Sequence, residues 1–281
     1  MAIGTARRRS QGWRGTSSVA VLVTLAAMVT VAAQATTVVP DTAPSAPLTP
    51  ACTVPENDIS IPGPLPNVMA QLKKGAPVRI LAIGSSSTEG IGASSQGKAY
   101  PTRLGPMLEK TLKGVDVEVI NRGIAGEVAD TTADRIMNEV ALAKPDLVLW
   151  QLGTNDALSR VPPDEFETTV RDTVNWLKSQ NIDVALVGMQ YIPRFSRDPT
   201  YSAIRRSLRK IAAEEHVLYV RRYDAMRFMQ RVRANEHLLA RDNFHLNDLG
   251  YRCMAEHIAH AVIYSLFHKP APKSHPATPR N

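Results

Sequence analysis

The sequence lacks the basic stripe that is typical of nucleic-acid-binding proteins. Aromatic residues make up only 5% of its 281 residues. The formal net charge is +7, but four arginines lie in the first 35 residues, and the remainder holds 29 basic and 26 acidic residues. No dense run of Lys and Arg interleaved with aromatic residues is left to follow a phosphate backbone. We therefore expect no nucleic-acid partner.

Motifs for phosphates and metals are also missing. The loop at 84–90 has neither a G-x-G-x-x-G spacing nor a glycine-rich turn that ends in Lys-Ser or Lys-Thr. His257 and His260 have helical spacing without a convincing third ligand, which favours an ordinary helix face over a zinc site. We expect neither a metal nor a cofactor.

Long apolar runs are confined to the N-terminus. The run "VAVLVTLAAMVTVAA" follows a basic start and precedes the small-x-small ending Ala33-Gln34-Ala35. This pattern predicts a signal peptide over 1–35 and export to the periplasm or the extracellular space. The alternative is an uncleaved anchor, because the run and its flanks nearly reach the roughly 20 residues that cross a bilayer. The protein would contact a membrane only in that case.

Cysteine is limited to Cys52 and Cys253. Both follow the predicted signal peptide, and an even pair in an oxidising compartment favours a disulfide between the N-terminal lead and the last helix. Two unrelated thiols are the alternative.

Three further segments follow the predicted signal peptide. Residues 36–66 are rich in Pro, Ser and Thr and predict an extended linker, and 269–281 predict a disordered tail. Between them, over 67–268, short apolar runs alternate regularly with helical periods, without an internal repeat. This alternation predicts an α/β domain with a parallel sheet and helices on both faces. Its ligands should bind at the carboxyl ends of the strands.

The loops after the first three strands carry candidate groups. Ser85-Ser86-Ser87 follows the first strand and is typical of a turn with a helix cap, although one hydroxyl could be a nucleophile. Gly126 follows the second strand and either accepts a positive φ or opens its N–H to a cleft. Asn155 follows the third strand and either caps a turn or donates to a negative oxygen.

A fourth segment, just before the last helix, contains Asp242 and His245. Their spacing lets a carboxylate hydrogen-bond one nitrogen of the imidazole, although an isolated histidine is usually structural. Taken together, the four segments supply a nucleophile, a base, an orienting carboxylate and oxyanion donors, which are the parts that acyl transfer requires.

These segments resemble the blocks of the GDSL/SGNH hydrolase superfamily from about Val78 to Phe267. The resemblance implies a Ser86, Asp242 and His245 triad. It also implies an oxyanion hole formed by Ser86, Gly126 and Asn155. Its implied fold is a three-layer α/β/α sandwich around a five-stranded parallel sheet, flavodoxin-like, with esterase-type activity and no metal. Ser85 stands where the family usually has Asp, so a charge next to the nucleophile is missing.

The substrate is less well specified. Tyr191 and Arg194 follow the fourth strand, where an aromatic ring could stack on a sugar and an arginine could pair with an anion, although a solvated loop is an equal alternative. The sequence has no long apolar lid, which favours short acyl esters, acetyl in particular, on an envelope or extracellular glycan or on a small molecule. The alternatives are a lysophospholipase or thioesterase for longer chains, and a glycan-binding envelope protein with weak turnover. The sequence predicts no oligomeric state.

Overall fold

A computed structural model describes residues 46–233 and 236–268, which form one sheet covered by helices on both faces. The strands are β1 Ser60–Ile61, β2 Val78–Gly84, β3 Val117–Gly123, β4 Leu147–Gln151, β5 Asp183–Val187 and β6 Leu218–Val220. Their order across the sheet is β1-β6-β5-β4-β2-β3. The five strands from β2 to β6 are parallel, in the doubly wound order of flavodoxin-like folds. The α/β fold class is thus confirmed.

The sheet has one strand more than the five that the resemblance implies. β1 pairs antiparallel with β6 at the edge of the sheet, with Ser60 opposite Val220. A two-residue strand is too short to show an alternating pattern in the sequence, so only its pairing with β6 reveals it.

Helices cover both faces because the parallel strands are apolar on both sides. In β2, Ile80 and Ala82 face one core, whereas Leu81 and Ile83 face the other. The helices are α1 Pro66–Lys74, α2 Ser86–Glu89, α3 Tyr100–Leu112, α4 Ala129–Ala143, α5 Thr154–Leu158, α6 Pro163–Ser179, α7 Pro199–Glu214, α8 Arg222–Val232 and α9 Asp248–Phe267. The first core contains residues of α3 and α9, and the second contains residues of α4, α6 and α7.

The segment before α1 corrects the predicted domain boundary. We expected a linker over 36–66, but Ile59 and Leu65 are buried in the described part of that range. A disulfide joins Cys52 to Cys253 of α9, with the two Cα atoms 4.9 Å apart. The Thr49 N–H donates to Glu256, 2.7 Å away. The Pro-rich composition therefore does not prevent residues 46–65 from packing against the domain, since scattered apolar side chains and long-range bonds hold them there.

The same segment explains the histidines of α9. His257 lies 2.7 Å from the Cys52 carbonyl oxygen through Nε2, and burial lowers its pKa to about 4. His260 lies 3.3 Å from the Ala46 carbonyl oxygen through Nδ1. Both side chains therefore bind backbone rather than a shared metal. Within 46–233 and 236–268, the structure contains no cluster of three or more potential metal ligands.

Two sequence predictions lie outside the described residues, namely the signal peptide at 1–35 and the tail at 269–281. Across the part of the chain that the structure describes, none of the helices combines the length and the apolarity that a bilayer crossing requires.

Candidate active site

The first candidate loop turns from β2 into α2. Gly84 has φ +146°, and a Cβ there would lie 2.3 Å from the Gln151 carbonyl oxygen. Only glycine fits at that point, because it alone tolerates both the backbone angle and the close contact. The turn starts α2 at Ser86, so that the hydroxyl-bearing residues 85–88 lie at the carboxyl end of the central strands.

The structure distinguishes the three serines by their hydrogen bonds. The Ser85 N–H and hydroxyl both donate to Gln151 Oε1, at 3.2 and 3.1 Å. The Ser87 hydroxyl accepts from Arg222 Nη2 at 3.0 Å. No hydrogen bond of the Ser86 hydroxyl occurs among the described residues, and 8% of this residue is exposed. Of the three serines, Ser86 is therefore the one whose hydroxyl makes no hydrogen bond to the described residues.

These contacts also show what Ser85 does in place of the usual Asp. Its backbone and side chain share one amide oxygen on the neighbouring strand, in a position that is 6% exposed. Two neutral hydrogen bonds thus hold the start of the turn without a carboxylate.

Gly126 lies in the loop after β3, with φ +86° and open space where a Cβ would be. Two contacts hold this loop beside α2. The Ile124 N–H donates to the Gly84 carbonyl oxygen at 2.9 Å, and the Ala125 N–H donates to Glu89 Oε2 at 2.6 Å. Glu89 lies in α2 together with Ser86, so this helix carries both the candidate serine and the carboxylate that binds the loop after β3.

Asn155 lies at the start of α5 and contacts the same loop. Its Nδ2 donates to the Glu127 carbonyl oxygen at 2.8 Å, which uses one of the two amide hydrogens. Its neighbour Asp156 is 1% exposed and accepts from the N–H groups of Ala129 and Gly153. Burial raises the pKa of Asp156. This bridging function of Asp156 was not predicted from the sequence, where its place beside Asn155 is the only signal.

Asp242 and His245 form a hydrogen-bonded pair. His245 Nδ1 lies 2.6 Å from Asp242 Oδ2, and Oδ1 accepts from the N–H groups of Phe244 and His245. Burial opposes ionisation of Asp242, but these hydrogen bonds outweigh it and hold the pKa of the carboxyl below its usual value. The pair lies in the loop between the bridged residues Leu239 and Leu246, where the Asp242 side chain is 48% exposed and that of His245 is 22% exposed.

This loop packs against the chain that follows α2. A Cβ on Gly92 would lie 2.9 Å from the His245 Cβ, and Tyr251 donates to the Ile91 carbonyl oxygen at 2.7 Å. The structure therefore brings His245 to the same edge of the sheet as Ser86. The hydrogen bonds of the described residues do not include one between Ser86 Oγ and His245 Nε2. In unliganded enzymes such bonds are often long and tighten only when substrate binds.

Tyr191 and Arg194 line a neighbouring cavity of about 730 Å³, together with Arg241 and Asn243. Ser86 and His245 are not among its lining residues. Arg194 also lies over the ring of Phe244, 5.7 Å from the centroid. The two predicted substrate residues thus lie together beside the Asp242–His245 loop, rather than next to Ser86.

Comparison with known proteins assigns this arrangement to a family. Residues 51–266 match the non-GDSL lipase-like family. The chain belongs to that family. It is therefore a member of the SGNH-type esterase superfamily.

The relatives that the chain resembles in sequence include two esterases. An arylesterase of Vibrio mimicus is 27% identical over 119 residues, which are 42% of this chain and 58% of that protein. An acetylxylan esterase of Geobacillus stearothermophilus is 28% identical over 170 residues, which are 53% of this chain and 78% of that protein.

One solved structure shows the same fold. It is a two-domain esterase active on acetylated mannans, with a TM-score of 0.65 at 20% identity. The match covers 80% of this chain and 61% of that protein. The chain thus spans about three fifths of the length of both the Vibrio arylesterase and the two-domain esterase.

Proposed function

We propose that this protein hydrolyses short acyl esters with Ser86 as nucleophile, His245 as base and Asp242 as the orienting carboxylate. The observation that carries the proposal is the division among the serines. Ser85 and Ser87 are held by protein partners, whereas the Ser86 hydroxyl has no hydrogen-bond partner in the part of the chain that the structure describes and lies at the same edge of the sheet as the Asp242–His245 pair.

In the acylation step, Ser86 Oγ attacks the ester carbonyl while His245 Nε2 takes its proton. Asp242 keeps the other ring proton on Nδ1 and stabilises the imidazolium that forms. His245 then gives the proton to the leaving alcohol, and the acyl group remains on Ser86. In the second step, water attacks the acyl-enzyme while His245 takes its proton, and the acid is released.

The developing oxyanion needs donors beside Ser86. We assign these to the backbone N–H groups of Ser86 and Gly126 and to the Asn155 amide. Two features support this assignment: Gly126 has no side chain over its N–H, and Asn155 keeps one amide hydrogen after bonding the Glu127 oxygen. Donors that are fixed before the reaction stabilise the charge without reorganisation.

A fluorophosphonate probe tests the nucleophile. We expect stoichiometric labelling, with the modified peptide carrying the phosphonate on Ser86. Ser86→Ala should abolish labelling, whereas Ser85→Ala should keep it. Labelling of Ser85 or Ser87 would contradict the assignment, and the absence of any labelling in the folded protein would favour the glycan-binding alternative.

For the substrate, we propose an O-acetyl group on a carbohydrate. Two relatives support this: the acetylxylan esterase of G. stearothermophilus and the esterase active on acetylated mannans. The cavity with Tyr191 and Arg194 lies beside the Asp242–His245 loop and has a volume in the range of small-molecule sites. Release of acetate from acetylated xylan or mannan, compared with release from a small acetyl ester, measures this preference.

Longer acyl chains are a second candidate, which one observation favours. Three exposed apolar side chains lie close in sequence to the site residues: Ile91 after α2, Ile124 in the loop of Gly126 and Leu158 at the end of α5. Such side chains could contact an acyl chain. A series of p-nitrophenyl esters from acetate to decanoate separates the two, since kcat/KM that rises with chain length would contradict the acetyl preference.

We also propose that the protein is exported. The Cys52–Cys253 disulfide supports this proposal, because such bonds persist in oxidising compartments. Fractionation of cells that express the full chain, with N-terminal sequencing of the product, tests both export and cleavage after Ala35.

A further inference from the structure

A buried arginine contacts the nucleophile turn, which is the turn from β2 into α2 that carries Ser86. Arg222 is the first residue of α8 and is 3% exposed. Its Nη2 donates to Ser87 Oγ at 3.0 Å and to Gln190 Oε1 at 2.7 Å. Its Nε and Nη1 have no protein partner among the described residues. The proposed mechanism makes no use of this group.

Arg222 is buried, yet among the described residues no carboxylate compensates its charge. Arg135, Arg205 and Arg221 each form an ion pair with an acidic side chain. Among the described residues Arg222 forms none, and the ionisable groups that influence it are three tyrosines, Tyr100, Tyr201 and Tyr251. Burial lowers its pKa to about 10, so that the guanidinium stays charged at neutral pH. An unpaired buried charge destabilises a fold, which calls for a functional explanation.

The contacts of Arg222 reach both halves of the site. On one side, Ser87 follows Ser86 in the first turn of α2. On the other side, Gln190 accepts from Arg222 and its Nε2 donates to the Phe244 carbonyl oxygen at 3.0 Å, next to His245. Gln190 is 2% exposed, so this chain of hydrogen bonds is shielded from water.

We propose that Arg222 is a positioning residue that, with Gln190, sets the alignment of Ser86 with His245 and places a fixed positive charge behind the developing oxyanion. The inference rests on the proposed function, because it takes Ser86 as the nucleophile. Among the described residues no carboxylate compensates this charge in the resting protein, and the oxyanion that forms when Ser86 attacks the ester brings an opposite charge to the site. Electrostatic groups that are fixed before the reaction act in this way.

The test compares Arg222→Met and Arg222→Lys with a matched control, Arg221→Met. Arg221 is the adjacent residue, but it pairs with Asp224 and lies outside the site. We expect Arg222→Met to lower kcat about 10- to 100-fold, with KM within twofold, and to slow phosphonate labelling of Ser86 by the same factor. Arg222→Lys should recover part of the loss, since it restores the charge without the two-armed geometry. Arg221→Met should leave both rates unchanged.

A second variant covers the case in which Arg222→Met does not fold. Gln190→Met keeps the arginine and breaks the connection to Phe244, and we expect about a tenfold loss in kcat. Combined in one chain, Gln190→Met and Arg222→Lys should lose less than the product of their separate losses, because the two residues act as a unit.

The outcomes separate this inference from the proposed function. If the wild-type protein is labelled on Ser86 and the Arg222 and Gln190 variants react at the wild-type rate, the inference is wrong and the proposed function stands. Equal losses of melting temperature in the Arg221 and Arg222 variants, with kcat unchanged, would likewise reduce Arg222 to a structural residue. If Ser86 is not labelled in the wild-type protein, the proposed function itself fails.

Discussion

The two sides of the proposed catalytic pair are held in different ways. The nucleophile turn is buried and is bonded to β4, to α8 and to the loop after β3. The Asp242–His245 loop is partly exposed and is held mostly by bonds within residues 240–245, with one long-range bond from Gln190 to the Phe244 carbonyl oxygen. The nucleophile is therefore positioned by long-range contacts, whereas the base is positioned by a local loop that solvent reaches. Solvent should therefore compensate more for an interaction that is lost in the exposed Asp242–His245 loop than for one that is lost in the buried nucleophile turn.

The largest effect should come from removing either reacting group. We expect Ser86→Ala and His245→Ala each to lower kcat/KM on a chromogenic acetyl ester about 10⁴-fold or more. The double variant should be no slower than the single variants, because the two groups act in one proton transfer. Losses that multiply in the double variant would show that the two residues do not form such a unit.

A smaller effect is expected on the buried side from Asn155→Ala. Loss of one oxyanion donor should lower kcat about 10²- to 10³-fold, with little change in KM. The matched control is Thr154→Ala, which alters the neighbouring buried residue without removing the amide. An equal loss in the control would indicate that the start of α5, rather than the amide, is required.

On the exposed side, Asp242→Asn should lower kcat by about 10- to 100-fold. We expect less than in enzymes whose orienting carboxylate is fully buried, because water can partly solvate the imidazolium beside a half-exposed residue. Asp248→Asn is the matched control, since Asp248 bonds Ser94 at the same edge of the sheet and does not touch His245. A larger loss of kcat in Asp242→Asn than in Asp248→Asn supports the orienting function of Asp242. An equal or larger loss in Asp248→Asn contradicts it.

The same carboxylate predicts a pH effect on stability. The pKa of Asp242 is lowered in the folded protein, so its ionisation stabilises the fold above the ordinary carboxyl pKa, and this contribution is lost as pH falls through the lowered value. The difference in urea midpoint between wild type and Asp242→Asn should therefore shrink as pH decreases from 6 to 3. A difference that grows towards acid pH would contradict a lowered pKa of Asp242 in the folded protein.

The smallest catalytic effect should come from a change outside both sides. Replacing Cys52 and Cys253 by serine should leave kcat within twofold at 25 °C, because neither sulfur contacts the nucleophile turn or the Asp242–His245 loop. The free energy of unfolding should decrease by about 2–5 kcal/mol, since the bond closes a long loop of the unfolded chain. Urea unfolding and ester hydrolysis on the same sample check both parts.

Much of the site could be predicted from the sequence because its parts are local. Each parallel strand is a short apolar run, and each candidate residue follows such a run or precedes a helix, where periodicity indicates a boundary. The two proposed catalytic residues that lie closest in sequence, Asp242 and His245, are three residues apart, so their pairing needs only one turn of chain.

The contacts that distinguish Ser86 from its neighbours were not predictable in this way. Arg222 and Ser87 are 135 residues apart, and Ser85 and Gln151 are 66 apart. No local period or motif connects such residues, because their proximity arises from the order in which the strands lie in the sheet. The packing of residues 46–65 on α9 was missed for the same reason.

The sequence by itself thus determined the α/β class, the parallel strands and the residue types at the strand ends, since burial on both faces and turn chemistry are local properties of the chain. Only the tertiary structure decided which serine hydroxyl has no hydrogen-bond partner among the described residues, how the Asp242–His245 loop approaches it, and that Arg222 lies buried between the two without a carboxylate partner in the described part of the chain. These features depend on hydrogen bonds between distant segments, which exist only once the sheet has brought the segments together.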